Sequence, residues 1–166
     1  MTATNDADET FMRRALALAE RSYELEEVPV GAIIVDRGRV IGEGYNQPLS
    51  ACDPTAHAEI VALRDAANNI GNYRLPGTTL YVTLEPCTMC LGALVHARVA
   101  RVVFGAREPK AGVLSNCPEW ANAKFFNHHI AFAGGVMEAS SAELLKRFFA
   151  LRRREKAEKK ASQETR

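Results

Sequence analysis

Thr78-Thr-Leu-Tyr-Val-Thr83, running on into Leu84-Glu-Pro-Cys87-Thr-Met-Cys90 and an apolar segment that lasts to Ala97, is the stretch on which the reading of this 166-residue chain turns. Its first half is rich in β-branched and aromatic residues and predicts a strand. Its second half is an apolar helical segment entered through Pro86, a residue tolerated where a helix begins. The strand therefore delivers a Cys-x-x-Cys turn to a helix N-terminus. Arg101-Val-Val-Phe-Gly105 follows as a further strand, so strand and helix alternate here.

Upstream, Thr55 to about Asn68 reads as a helix, with Asp53 or Thr55 as its cap and Pro54 at an allowed first-turn position. Before it, Val30–Val35 and Arg39–Gly44 flank the short turn Asp36-Arg37-Gly38 and predict a β-hairpin. The chain opens with apolar positions at Phe11, Met12, Ala15, Leu16, Leu18, Ala19 and Tyr23, an amphipathic helix over roughly residues 8–25. Downstream, residues 107–128 show no clean period and are expected to be irregular, Ile130–Phe132 to form a last short strand, and Ala139 to about Lys156 a final helix. The order α-β-β-α-β-α-β, loop, β, α predicts one α/β domain over residues 1–166, its mixed sheet covered by helices. The tail from about residue 157 is expected to be disordered.

Composition sets bounds on partners. With 47% hydrophobic and 25% charged residues the chain suits a globular fold. It has no apolar run long enough to span a bilayer, and its acidic, polar start differs from a signal peptide, so a cytoplasmic protein without membrane association is expected. Net charge is only +1, but residues 1–30 hold seven acidic and three basic side chains, whereas Lys146–Arg166 holds nine basic and three acidic. A polyanion would prefer the C-terminal end. The four cysteines, Cys52, Cys87, Cys90 and Cys117, are expected to serve as thiols or metal ligands in such a compartment.

Two segments concentrate the chemistry: Thr55-Ala-His57-Ala-Glu59 and Glu85-Pro-Cys87-Thr-Met-Cys90. Both fall where the chain enters a helix. Cys87, Cys90 and His57 offer two sulfurs and a nitrogen to one ion, and three protein ligands leave a tetrahedral metal with an open fourth position for water. Glu59 lies close enough to exchange protons there without necessarily occupying a metal position. Each motif alone is weak, since Cys-x-x-Cys also occurs in redox pairs and structural zinc knuckles. Cys52 could close the site as a fourth ligand, although it reads better as an ordinary loop thiol; Cys117 has no partner motif, and His96, His128 and His129 have no metal spacing.

Val28-Pro-Val-Gly-Ala, Asn46, Asp53-Pro-Thr-Ala-His-Ala-Glu-Ile60, Thr83-Leu-Glu-Pro-Cys-Thr-Met-Cys90 and Arg101-Val-Val-Phe-Gly-Ala106 together resemble the bacterial tRNA-specific adenosine deaminases of the cytidine deaminase superfamily, over nearly the whole chain. The resemblance implies a three-layer α/β/α domain with a central mixed five-stranded sheet, and a homodimer that converts adenosine to inosine at the wobble position of a tRNA anticodon stem-loop. It implies one zinc ion per subunit on His57, Cys87 and Cys90, with Glu59 as proton shuttle. Asn46 is similar to the residue that hydrogen-bonds the flipped base, and Val28, Pro29 and Ala58 to the pocket around it. Arg107, Lys110, Phe148, Phe149, Arg152 and Arg153 resemble the residues that hold the RNA, with Arg154 beside them.

From the residues alone, a Phe pair closing an amphipathic helix reads as core and a basic run as a solvated face. The resemblance reverses that preference. Asn127-His128 falls where the family has a similar pair, with a structural or substrate-side role. Ala111–Phe126, Ser140-Ser141 and Glu108, where a shorter Asp is common, depart from the family pattern near the substrate side. A free guanine or cytosine deaminase is thus the alternative enzyme, and a non-catalytic RNA-binding zinc protein the alternative without chemistry.

Overall fold

The computed structural model describes residues 2–164. Among them α1 (Asp6–Glu24) leads to β1 (Gly31–Asp36), β2 (Arg39–Tyr45), α2 (Ala58–Ile70), β3 (Thr79–Leu84), α3 (Thr88–His96) and β4 (Arg101–Ala106). A short α4 (Val113–Asn116) and a 3₁₀ turn (Pro118–Asn122) precede β5 (Ala131–Gly134) and the long α5 (Glu138–Glu164). The order matches the expectation. The segment expected to be irregular does carry these two short helical pieces.

The five strands form one sheet in the order β2-β1-β3-β4-β5, antiparallel between β2, β1 and β3 and parallel from β3 to β5. Successive strand residues point to opposite faces. Ala32, Ile34, Leu80, Val82, Val102 and Phe104 therefore share one face, where they pack with Ala58, Ala62, Leu63 and Ala66 of α2 and Leu91, Leu94 and Val95 of α3. Ile33, Val35, Tyr81 and Val103 take the other, against Met12, Ala15 and Leu18 of α1. Buried on both faces, the central strands read as continuous apolar runs. The result is the three-layer α/β/α domain with a mixed five-stranded sheet.

Close backbone approach seats the helix that carries the chemistry. Gly42 and Gly44 of β2 lie against α2 so tightly that a methyl group at either would strike its backbone, at Ala62 and Ala66 or at Ala58 and Ala62. At the hairpin, Arg37 and Gly38 both adopt positive φ (46° and 77°), the turn whose twist matches two antiparallel strands.

Several sequence-based bounds move: α2 begins at Ala58, not Thr55, and β5 spans Ala131–Gly134, not Ile130–Phe132. The α1 start shifts to Asp6 because Asn5 caps it, its side chain accepting from Asp8 N–H while Asp8 reaches back to the Asn5 N–H. α5 runs on to Glu164, through the tail expected to be disordered from about residue 157. That extension lacks an apolar stripe, so periodicity ended the helix early, but Glu, Lys and Ala are strong helix formers whatever their face.

Candidate active site

The C-terminal end of β3 and the N-termini of α2 and α3 meet at one point, where open α/β sheets gather ligands. The residues that begin these helices are themselves the metal-ligand candidates: His57 stands at the N-cap of α2 and Cys87 at the N-cap of α3, neither making a side-chain capping bond. Asp53 and Thr55 do not cap α2 as expected. Asp53 instead folds its own loop, accepting from the Thr55 N–H and hydroxyl and from Arg64. The cap comes from Asn46, whose Oδ1 accepts the Ala58 N–H at 2.8 Å. Because a backbone N–H can only donate, this contact fixes the amide orientation and leaves Nδ2 as the donating end.

The Nδ1 of His57 lies 3.7 Å from Cys87 Sγ and 3.6 Å from Cys90 Sγ, and the three donor atoms all fall within 4.8 Å of one another. A tetrahedral zinc with bonds of about 2.3 Å to sulfur and about 2.0–2.1 Å to nitrogen requires sulfur–nitrogen edges of about 3.6 Å. The donor set fits that ion. Cys52 is exposed, bonds the Leu49 carbonyl and lies outside this group, so the closed four-ligand reading is not supported. A hydrogen bond from Cys90 chiefly, opposed by burial and aided by His57, holds the Cys87 thiol down at about 4. The same contact, with burial, pushes Cys90 up, and the bond with Cys87 raises His57. Glu59, 4% exposed, is raised to about 7 mainly by burial.

A cavity of about 280 Å³ opens over these groups, lined by Val28, Asn46, His57, Glu59 and Cys87 of the expected residues. Glu85 and Pro48 also line it and were not foreseen, and Glu108 and Ala111, expected near the substrate side, line it too. Glu85 carried a signal: a carboxylate placed between an apolar strand and a proline must be buried or bonded. Cys90 lies behind the wall, fully buried. Pro29 and Ala58 are buried beside the cavity, outside its lining, and Arg107 and Lys110 are exposed at its edge loop.

A second hollow of about 660 Å³ shares Val28 and Pro48 with the first and extends past Leu25, Leu49 and Phe148 to Arg152. Phe148 is 4% exposed and packs edge-on against Tyr23 and Phe149, as the residues alone suggested, while Phe149 is 45% exposed. Arg152 lies over the Phe148 ring and is ion-paired to Glu155 and Glu26; Arg153 is exposed. Asn127 and His128 lie elsewhere, bonded to Arg98 and the Val99 carbonyl.

Residues 5–106 match the model of the cytidine and deoxycytidylate deaminase zinc-binding region. The chain belongs to this deaminase family. It is 48% identical over 158 residues to the tRNA-specific adenosine deaminase of Haemophilus influenzae, covering 95% of this chain and 91% of that one. A solved structure from work on A-to-I editing by tRNA:A34 deaminases is 42% identical, with a TM-score of 0.78 over 81% of this chain and 98% of the other. A guanine deaminase from Nitrosomonas europaea, 24% identical with a TM-score of 0.75 over 90% of this deaminase and 87% of that chain, shares the fold. Zinc is the metal of this deaminase. When bound, it supplies a Lewis acid that lowers the pKa of water at the open position toward neutrality.

Proposed function

We propose that this zinc-dependent deaminase hydrolyses adenosine to inosine at the wobble position of a tRNA anticodon. The observation that carries the reading is the adjacency of two hollows: a cavity of about 280 Å³, the size for a single ring system, shares Val28 and Pro48 with an apolar groove of about 660 Å³ that reaches Arg152 on the basic helix. A free base needs only the first. An extruded nucleotide with its neighbours uses both, since unstacked bases lie on apolar and aromatic surface and their phosphates meet cations.

His57, Cys87 and Cys90 hold the ion, and Glu59, buried beside them without sharing in that donor set, carries protons. In the overall reaction water gives its oxygen to the ring carbon and the exocyclic C–N bond breaks. One of the water's protons ends on the ring nitrogen and the other on departing ammonia, and Glu59 hands over each. The Nδ2 of Asn46 donates to an acceptor on the base, while Val28 closes the cavity wall. Exposed Phe149 and Arg153, with Arg152, Arg107 and Lys110, meet the RNA outside it. The same reading makes the protein a homodimer of the cytoplasm, and among the described residues no helix is long and apolar enough to cross a membrane.

The test is incubation with an anticodon stem-loop bearing wobble adenosine, and in parallel with free guanine, cytosine and cytidine. Inosine at the wobble position alone is expected. Turnover confined to a free base would establish the alternative enzyme, and binding of RNA with no turnover of any substrate the non-catalytic protein.

A further inference from the structure

We propose that Glu85 is a positioning residue that fixes the far wall of the base cavity and thereby sets how tightly substrate binds; this rests on reading that cavity as the base pocket. The wall is the stretch 107–116, which leaves β4 and returns through α4. It contributes Glu108 and Ala111 to the cavity, while Arg107, Pro109 and Lys110 are exposed. Such a segment has neither a long helix nor a strand to satisfy inward-turned N–H groups. The Glu85 carboxylate does so instead. Its Oε1 accepts the Ser115 N–H at 2.5 Å, and its Oε2 accepts the Glu108 N–H at 3.0 Å and the Ser115 hydroxyl at 2.6 Å.

The fit is close on every side. Glu85 is 3% exposed, and a methyl group on Gly112 would collide with its carboxyl group and with the Glu108 carbonyl. The backbone beside it is also pinned: Glu85 N–H donates to the Ala106 carbonyl, and Val113 N–H to the Pro86 carbonyl. Since Cys87 follows two residues later, one strand end holds both a zinc ligand and the wall facing it. The distance between them is therefore not left to a free loop. The Glu108 carboxylate is itself committed to the turn through the Lys110 N–H, so the loop moves as a unit with its anchor.

Glu85→Gln keeps shape and size but turns one acceptor into a donor facing donors. In the full-length, zinc-loaded protein it is expected to retain one zinc per chain. Amide exchange across 107–116 should rise by about tenfold or more while 88–96 stays protected. KM for the stem-loop should rise by about tenfold with kcat within about threefold, because a wall touched equally in ground and transition state contributes uniform binding. Unchanged KM, unchanged exchange, or loss of zinc together with opening of 88–96 would each overturn the assignment. If Glu85→Gln does not fold, Ser115→Ala removes one donor and should show a few-fold rise in KM with the same local exchange; neither change would refute it. Exchange needs no RNA, so failure of the tRNA reading and failure of the anchor are told apart.

Discussion

Replacing Asn46 separates two roles that its amide combines. Asn46 is 9% exposed and its oxygen caps α2 through the Ala58 N–H at 2.8 Å; in the function proposed above, its nitrogen addresses the base. Asn46→Ala removes both. Loss of the cap, with the Ala58 N–H left unpaired in a buried position, should cost about 1–2 kcal/mol. At about 2–4 °C per kcal/mol for a domain of this size, Tm should fall by roughly 2–8 °C. Asn46→Asp keeps the accepting oxygen, and its charge lies at a helix N-terminus, so Tm should stay within about 2 °C. It loses the donor to the base, and kcat/KM should fall by roughly 10- to 150-fold, the equivalent of about 1.5–3 kcal/mol for a bond left unmade in a buried site. Thermal melts and steady-state kinetics on the two variants decide the matter. A large Tm loss in Asn46→Asp, or undiminished kcat/KM, would refute the division of labour.

The carboxyl of Asp8, 1% exposed, is pushed up by burial, but hydrogen bonds from Arg101 and Tyr81 outweigh that and leave it below its ordinary value of 3.8. Its contribution is therefore complete above about pH 4 and is lost as pH falls through the lower, folded value; urea midpoints should drop below pH 4, and less steeply in Asp8→Asn. The hydroxyl of Ser141 is buried without a hydrogen-bond partner among the described residues, so Ser141→Ala should stabilise the protein by about 1 kcal/mol, a Tm rise of about 2–4 °C by calorimetry.

How far each feature was legible depended on how local its cause is. The strands declared themselves through β-branched runs and the ligand set through spacing, since His57 and Cys87 each open a helix, Cys90 lies one turn into the second, and the helices start beside one another. The cap of α2 did not, because a cap supplied by Asn46 across the fold leaves the nearer Asp53 and Thr55 to look like the natural candidates. Phe148 and Phe149, adjacent in the chain, lie on opposite sides of a burial boundary that only packing draws. Glu85 stood inside the motif, yet its partners lie in a segment with no period to read. The length of α5 escaped because its last turns have no apolar face.

Zinc content and deamination measured on one preparation of Glu59→Gln test the account at its centre, the separation of three ligands from one proton carrier. The variant should keep one zinc per chain while inosine formation from the stem-loop falls by about 10²–10⁴-fold. Loss of the metal, or turnover close to that of the unaltered protein, would contradict it.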